Sequence, residues 1–168
     1  DDGATATANT DIEITNRGPS IASLNCDDPK NTGETLTCVA SANDPDGSIS
    51  SYNWSGDFSG ADSVSTASFS ENGGKTAIVT ATDDDGASAV DSIGVQVQNR
   101  DPTVSISCDD PKATGETITC VADASDPDGT IANYNWGADF SGTDDTATAS
   151  FADDGGYTAG VTVEDNDG

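Results

Sequence analysis

Apolar and polar residues alternate over short stretches of this chain, and the alternation predicts β-strands rather than helices. In one such stretch Leu36, Cys38 and Ala40 recur at every second position, so their side chains lie on one face of a strand. Groups of Gly, Pro, Asp and Asn separate the stretches and predict turns. In the first half of the chain the predicted strands cover residues 19–26, 34–42, 49–54, 64–69, 76–82 and 93–97.

The same pattern occurs a second time, at an offset of 82 residues. Cys108 corresponds to Cys26 in this alignment, and Trp136 corresponds to Trp54. A fixed offset between matching cysteines, aromatic residues and turns indicates two copies of one structural unit. Units of this size are small, but they are large enough to fold.

The beginning of the chain resembles the junction between the two copies. Residues 3–19 align with residues 86–102, and both segments end in Asn-Arg-x-Pro. We therefore predict that residues 1–15 are the final strand of a preceding repeat or of a neighbouring chain. Residues 16–98 form the first repeat, and residues 99–168 form a second repeat that lacks its last strand.

The first strand of the first repeat is one residue longer than its counterpart. Pro19 and Cys26 are seven positions apart, whereas Pro102 and Cys108 are six apart. Side chains alternate with a period of two, so one inserted residue would turn the rest of the strand to the wrong face. We therefore predict a β-bulge that keeps Leu24 facing the same way as its counterpart.

Short alternating strands with Gly and Pro turns predict an all-β fold built from antiparallel sandwiches. Low hydrophobicity with high net charge is also typical of disordered chains. Regular alternation, placed aromatic residues and paired cysteines favour a folded chain over that alternative. Apart from the two tryptophans, the expected core residues are mainly Ala, Val and Ile, so each unit has a thin core that needs a further brace.

The charge balance limits the partners of the chain. It contains 31 acidic and 5 basic residues, for a formal net charge of -26. Nothing in this composition can neutralise phosphates, so we expect no nucleic acid partner. Such acidity is typical of proteins in high salt or seawater, where salt screens repulsion, or of chains that carry divalent cations. No apolar run approaches 18 residues, so we expect no membrane insertion within this segment.

The motifs resemble those of the PKD (polycystic-kidney-disease) repeat family. The family pattern is Asn-x-x-Pro, then Asp-Pro-Asp-Gly-x-Ile-x-x-Tyr-x-Trp, then a Gly-led strand ending in Asp-x-x-Gly. Its elements correspond here to residues 16–19, 44–54 and 74–86, and again to 99–102, 126–136 and 156–168. The loop after each Trp departs from the family's Asp-Phe-Gly-Asp-Gly, which leaves the shape of that loop open. The resemblance implies two tandem immunoglobulin-like sandwiches, joined end to end, of the kind found on secreted and cell-surface proteins.

The four cysteines predict two disulfides, Cys26–Cys38 and Cys108–Cys120. Eleven residues separate the cysteines of each pair. Closing a loop of this length contributes about 3 kcal/mol in the loop-entropy description. Reduced buried cysteines are the alternative, and a zinc site lacks both His and a Cys-x-x-Cys spacing. Disulfides place the chain in an oxidising compartment, outside the cell or at its surface.

Acidic turns form the candidate metal site of each repeat. In an immunoglobulin-like sandwich the segment before the first strand and two of the loops lie at the same end. In the first repeat this arrangement brings together Asn16, Asp44, Asp46, Asp83 and Asp85. In the second repeat it brings together Asn99, Asp101, Asp126, Asp128, Asp165 and Asp167. Converging carboxylates repel one another, and calcium with its six to eight oxygen ligands relieves this repulsion. Some PKD domains bind calcium at this end, and the alternative is that the Asp residues only stabilise turns.

We predict no catalytic residues. Paired carboxylates can hydrolyse glycosides, but that chemistry needs a cleft, and these acids lie in turns of a small sandwich without an obvious concavity. Without His, the usual Ser or Cys nucleophiles have no base.

Asn53 begins the glycosylation sequon Asn-Trp-Ser, which is either a modification site or a chance match.

These features predict a non-catalytic extracellular structural repeat. It would serve as a rigid spacer or stalk, or as the repeating shaft of a cell-surface filament, with calcium-stabilised junctions. Its partners would be like repeats in the same chain, or head-to-tail copies in which residues 4–15 complete the second repeat by strand addition. The alternative is an accessory module of a secreted enzyme or adhesin that binds carbohydrate or protein on an aromatic face. Buried Tyr52, Trp54, Tyr134 and Trp136 would favour the spacer.

Overall fold

The computed structural model describes residues 2–167 as two β-sandwich repeats. The strands of the first repeat are β1 (Ser20–Cys26), β2 (Lys30–Asn31), β3 (Thr35–Asn43), β4 (Ile49–Gly56), β5 (Val64–Ser68), β6 (Gly73–Asp83) and β7 (Ser88–Gln98). Those of the second are β8 (Thr103–Cys108), β9 (Thr117–Ser125), β10 (Ile131–Ala138), β11 (Thr146–Ser150) and β12 (Ala159–Asp165). No helix in residues 2–167 is long and apolar enough to cross a membrane.

Each repeat contains two sheets. In the first repeat the strand orders are β1-β3-β5 and β2-β7-β6-β4, and in the second they are β11-β9-β8 and β10-β12. The first repeat thus divides its strands as an immunoglobulin domain does, with strands of the A, B and E type in one sheet and those of the C, F and G type in the other. The predicted all-β, immunoglobulin-like fold is confirmed.

Residue contacts divide the chain into two compact units that do not follow the repeats. The first unit contains the chain up to Cys26 together with Thr37–Thr66 and Thr76–Gly94. The second contains Val95–Gly168 together with Asp27–Leu36 and Ala67–Lys75. Because the division crosses β6 and β7, it does not test the predicted repeat boundaries after residues 15 and 98, which stay predictions.

Residues 2–19 form no strand within this chain. Ile12 and Ile14, the apolar residues of the predicted opening strand, are 82% and 93% exposed. A strand needs a neighbouring strand for its backbone hydrogen bonds, and residues 2–19 pair with no strand within residues 2–167. Its assignment to a preceding repeat or a neighbouring chain therefore stays a prediction, and Asp1 lies outside the described residues.

The predicted bulge is present in β1. The pairing of β1 with β3 shifts register between Ile21 and Ser23, after which Leu24 pairs with Ala40. In the second repeat Ile106 occupies the same place opposite Ala122, without a shift. One extra residue is thus absorbed before the disulfide, and both copies present equivalent faces to their cores.

The two cores differ in completeness. Leu36, Ala77 and Val79 are fully buried in the first repeat, where β7 adds the buried residues Val95 and Val97. The counterparts of the first three residues are Ile118, Ala159 and Val161, and all of them are only partly buried. The second core, built around Trp136 and Phe140, is therefore less enclosed than the first.

Candidate metal centre

Hydrogen bonds bring the residues of the first acidic cluster (Asn16, Asp44, Asp46, Asp83 and Asp85) together. Asn16 donates from Nδ2 to Oδ2 of Asp83 at 2.9 Å. The backbone N–H of Arg17 donates to Oδ2 of Asp46 at 3.1 Å. The segment before β1 therefore contacts both acidic loops, as the sequence predicts.

Asp83 stabilises the turn between β6 and β7. Its side chain is buried, and Oδ1 accepts backbone N–H groups from Asp85 at 3.1 Å and Ala87 at 2.8 Å. The hydrogen bond from Asn16 lowers the pKa of Asp83 against the opposing effect of burial. Both of its oxygens accept hydrogen bonds, so Asp83 stabilises the turn, and its role as a calcium ligand stays a prediction. Asp85 is exposed.

The second acidic cluster (Asn99, Asp101, Asp126, Asp128, Asp165 and Asp167) repeats these bonds. Asn99 donates to Oδ2 of Asp165 at 2.7 Å, and the N–H of Arg100 donates to Oδ2 of Asp128 at 3.2 Å. Asp165 accepts the N–H of Asp167 at 2.9 Å. Asp101 is exposed and lies outside this set of bonds.

Three oxygens distinguish the second cluster from the first. Oδ1 of Asn99, Oδ2 of Asp126 and Oδ1 of Asp128 are buried and, within residues 2–167, accept no hydrogen bond. In the first cluster the counterparts Asn16 and Asp46 are exposed to water. Buried polar atoms are nearly always satisfied in folded proteins, so these three acceptors are candidate partners for a bound water or a cation.

The surroundings of Asp126 and Asp128 shift the pKa values of the two carboxyl groups in opposite directions. Burial, followed by the proximity of Asp128 and Asp165, raises the pKa of Asp126. A hydrogen bond from Thr32 is the largest cause of a lowered pKa for Asp128. A carboxyl pair of this kind either shares a proton or binds a cation, and both would relieve the repulsion.

Thr32 is a cluster residue that the sequence does not reveal. Its side chain is 2% exposed, and Oγ1 donates to Oδ2 of Asp128. Thr32 lies in the first repeat by sequence, but it belongs to the same compact unit as Asp128. Its counterpart Thr114, 82 positions later, is exposed. Only the folded chain shows that the two equivalent threonines differ.

Two further residues were missed in the acidic turns. Asp84 accepts the N–H of Ser48 at 2.7 Å through Oδ1, and Asn166 accepts the N–H of Thr130 at 2.6 Å. Each bond connects the last acidic loop to the Asp-Pro-Asp-Gly turn. Their signal is present in the sequence, because both copies have an Asp or Asn between two aspartates at this point.

The second cluster contains oxygen atoms of the type that calcium prefers. Within the described part of the chain, no three His, Cys, Asp or Glu side chains are grouped tightly enough to hold a metal ion by themselves. The amide oxygen of Asn99 adds a neutral ligand to the carboxylates of Asp126 and Asp128. Hard oxygen donors of this type suit calcium, with water or backbone oxygens as the remaining ligands.

Both predicted disulfides are present in the structure. Cys26 bonds Cys38 and Cys108 bonds Cys120, so each bridge links the first strand of its repeat to the next long strand.

Asn53 is exposed on β4 between Tyr52 and Trp54, and its glycosylation stays a prediction.

The aromatic residues of the third long strands face the cores. Trp54 and Trp136 are 3% and 4% exposed, and each donates its indole N–H to a backbone carbonyl at 2.8 Å. Tyr52 and Tyr134 are half-buried, and the hydroxyl of Tyr52 accepts the N–H of Ala42 at 3.1 Å. The four residues therefore form no exposed aromatic row.

The second repeat has a groove, and none of the residues of the second acidic cluster lines it. The groove has a volume of about 540 Å³ and reaches the core residues Ile118, Phe140 and Ala159. Phe151 and Tyr157 stack at its side with ring centroids 3.6 Å apart. It arises because the second core is less enclosed than the first.

Comparisons with known proteins give structural neighbours only. No protein-family model matches the chain, and no curated protein matches it. A solved PKD1 domain of Vibrio anguillarum Epp is 24% identical, covers 50% of this chain and 98% of its own, and has a TM-score of 0.43. The PKD1 domain from the Vibrio cholerae metalloprotease PrtV is 22% identical, covers 49% of this chain and 100% of its own, and has a TM-score of 0.42.

Two other matches cover more of this chain at lower sequence identity. The fibronectin(III)-like modules of Clostridium thermocellum CbhA are 15% identical, cover 86% of this chain and 87% of their own, and give a TM-score of 0.38. Carbohydrate-binding modules of the β-sandwich superfamily are 16% identical, cover 89% of this chain and 85% of their own, and give 0.46. By its strand order and its repeated motifs, the chain has a PKD-like immunoglobulin fold.

Proposed function

We propose that this chain is a non-catalytic extracellular spacer or stalk, and that its second acidic cluster binds calcium. The observation that carries the proposal is a group of three buried oxygens, on Asn99, Asp126 and Asp128, that accept no hydrogen bond from the described residues 2–167. A cation bound there satisfies all three at once, whereas a single shared proton satisfies one carboxyl pair and leaves the amide oxygen unpartnered.

Calcium at this cluster would also stiffen the chain. Thr32 comes from the segment Asp27–Leu36 and donates to Asp128, one of the proposed ligands. Binding would lower the mobility of the acidic loop and of the segment that contacts it. The bound ion would therefore stabilise the connection between the first repeat and the loops of the second.

Other features support an extracellular structural role. Two disulfides persist in oxidising surroundings, and they brace repeats whose cores contain mostly small side chains. The tryptophans are buried rather than displayed, which favours a spacer over an accessory module that binds on an aromatic face. The net charge of -26 keeps such a chain soluble and suits a medium that contains salt and divalent cations.

Isothermal titration of the chelator-treated chain with calcium chloride tests the metal site. We expect a measurable heat of calcium binding in the unmodified chain. Asp126→Asn and Asp128→Asn should each reduce this heat and should weaken the calcium affinity by about tenfold or more. Asp46→Asn is the matched control, because it changes the exposed counterpart of Asp128 in the first cluster and leaves the second cluster intact.

Two results would contradict the proposal. One is the absence of any calcium heat in the unmodified chain at neutral pH. The other is binding that Asp46→Asn weakens as much as Asp128→Asn does, since the affinity would then reflect general acidity rather than the second cluster. Titration of magnesium chloride in parallel shows whether the site prefers the larger ion, as flexible loop ligands should.

A further inference from the structure

We propose that the groove of the second repeat binds residues 4–15 of a second copy of this chain as an added β-strand, so that copies join head to tail. The inference names the partner of the structural role proposed above and rests on that role. It does not require calcium, because none of the atoms it uses belongs to the second acidic cluster.

The acceptor is an open sheet edge. In the first repeat β6 pairs with both β4 and β7, whereas among the described residues β12 pairs only with β10. The strand β6 has 11 residues and its counterpart β12 has 7. The side of β12 without a partner corresponds to the side of β6 that pairs with β7 in the first repeat. An edge of this kind is a template for strand addition.

The groove beside this edge exposes residues that the first repeat buries. Leu36 and Ala77 are fully buried, whereas their counterparts Ile118 and Ala159 line the groove and are partly buried. Its volume of about 540 Å³ is large enough for several side chains. The groove is thus an unfilled part of a core rather than a separate ligand pocket.

The donor has the side-chain pattern of β7. Residues 5–15 align with Ser88–Gln98, and this alignment places Ile12 on Val95 and Ile14 on Val97. The two valines are 4% and 3% exposed, whereas the two isoleucines are almost fully exposed. The polar residues between and around them face outward in β7, as a strand with one buried face requires.

The backbone partners for the donor are also present. In the first repeat β2 runs parallel to β7, with Asn31 opposite Gln98, and the N–H of Thr32 donates to the Gln98 carbonyl at 3.0 Å. The counterparts in the second repeat are Ala113 and Thr114. We therefore expect Ala113 opposite Thr15 of the added strand, with the Thr114 N–H donating to the Thr15 carbonyl.

A side-chain acceptor extends the same register. Oδ1 of Asp28 accepts the N–H of Gln96 in the first repeat. Its counterpart Asp110 lines the groove and would accept the N–H of Glu13 from the incoming strand. Three features of β7 binding are therefore repeated around the groove: the apolar floor, the short parallel partner and the carboxylate.

This contact does not close on itself. Each copy donates residues 4–15 and accepts a strand at a different surface, the groove. A joined pair therefore still has one donor strand and one groove available, and continued addition produces a filament. Both surfaces are acidic, with Glu13 on the donor and Asp110, Glu116 and Asp153 around the groove. Association should therefore strengthen as salt screens this repulsion.

Directed cross-linking of the full chain tests the proposal. One preparation carries Thr15→Cys and a second carries Ala113→Cys, and the two are mixed under mild oxidation in the presence of chelator. We expect a mixed disulfide dimer, because these positions are opposite each other in the expected ladder. The control pairs Thr15→Cys with Val121→Cys, which is exposed on β9 away from the groove, and it should cross-link about tenfold more slowly.

A second set of variants separates the docking from folding. Ile12→Asn with Ile14→Asn alters only exposed residues, so the repeats should stay folded while the cross-link and any sedimentation of filaments are lost. Thr7→Asn on the outward face of the donor should leave both intact. Calcium titration of the isoleucine variant then shows whether the metal site survives, which distinguishes failure of this inference from failure of the proposed function.

Two outcomes would overturn the inference. The first is a cross-linking rate no higher than that of the control, with the chain remaining monomeric at high concentration and high salt. The second is rapid intramolecular cross-linking at high dilution in a chain that carries both cysteines. That result would mean that the groove receives residues 4–15 of its own chain.

Discussion

The second disulfide should be more important for folding than the first, although the two bridges are equivalent in the sequence. We consider two pairs of substitutions, Cys26→Ala with Cys38→Ala and Cys108→Ala with Cys120→Ala. Each removes a bridge between cysteines separated by 12 positions, so the loop-entropy loss is the same in both repeats.

The magnitude follows from that loop and from the size of the repeat. Opening a loop of this length costs about 3 kcal/mol of stability. A domain of roughly 75 residues has about 4–11 kcal/mol in total, at 0.05–0.15 kcal/mol per residue. The second repeat has a partly exposed core, and its Ile118 and Ala159 line a groove, so it should lie near the lower limit. Losing the bridge should therefore leave the second repeat with only about 1 kcal/mol, so that a sizeable minority of molecules is unfolded without denaturant, while the first repeat stays folded.

Tryptophan fluorescence during guanidinium chloride unfolding measures this effect for each repeat. The chain has two tryptophans, one in each core, so Trp54→Phe leaves Trp136 as the sole reporter of the second repeat. We expect the midpoint of the first repeat to fall by about 0.5–1.5 M when its bridge is removed. The second repeat should lose its folded baseline. Equal midpoint shifts in the two repeats, or no shift in either, would show that the second repeat does not depend more strongly on its bridge.

Three further predictions concern single residues. Thr32→Val should weaken calcium binding in titration by removing the donor that holds Asp128, whereas the exposed counterpart change Thr114→Val should not alter it. Ala138 has a φ of 61°, a left-handed conformation that costs an alanine about 1 kcal/mol. Ala138→Gly should therefore raise the free energy of unfolding of the second repeat by up to about 1 kcal/mol, measured by guanidinium chloride unfolding. Hydrogen bonds from the backbone N–H of Thr119 and from the side chain of Lys112 lower the pKa of Asp109. The ionised Asp109 therefore stabilises the fold fully above its unfolded pKa near 4, and this stabilisation is lost as the pH falls through the lower pKa of the folded state. Asp109→Asn should therefore flatten the acid limb of a stability-against-pH curve measured by chemical unfolding.

Local patterns predicted those parts of the molecule that depend on nearby residues. The alternation around Leu36 gave a strand with the expected buried face, and one extra residue before Cys26 predicted the bulge between Ile21 and Ser23. Equal cysteine spacing in the two copies predicted both disulfides. Each of these features is determined by period, length or turn chemistry within one repeat.

The difference between the repeats was not predictable in the same way. Thr32 and Thr114 occupy equivalent positions, but one is buried against Asp128 and the other is exposed. Likewise Asn16 is exposed, whereas Oδ1 of Asn99 is buried and accepts no hydrogen bond from the part of the chain that the structure describes. Such differences depend on which other segment packs against each copy, and residues far apart in the chain supply that segment. A repeated motif therefore predicts equivalent sites, and tertiary packing decides which of them can act.

Differential scanning calorimetry of the whole chain is the most direct test of whether a cation holds the second acidic cluster together. Scans are recorded in excess chelator and then with calcium restored at the same ionic strength. Calcium should raise the melting temperature of the transition that involves the second repeat, by an amount that grows with the free calcium concentration. Identical thermograms in the two conditions would mean that no cation stabilises this cluster.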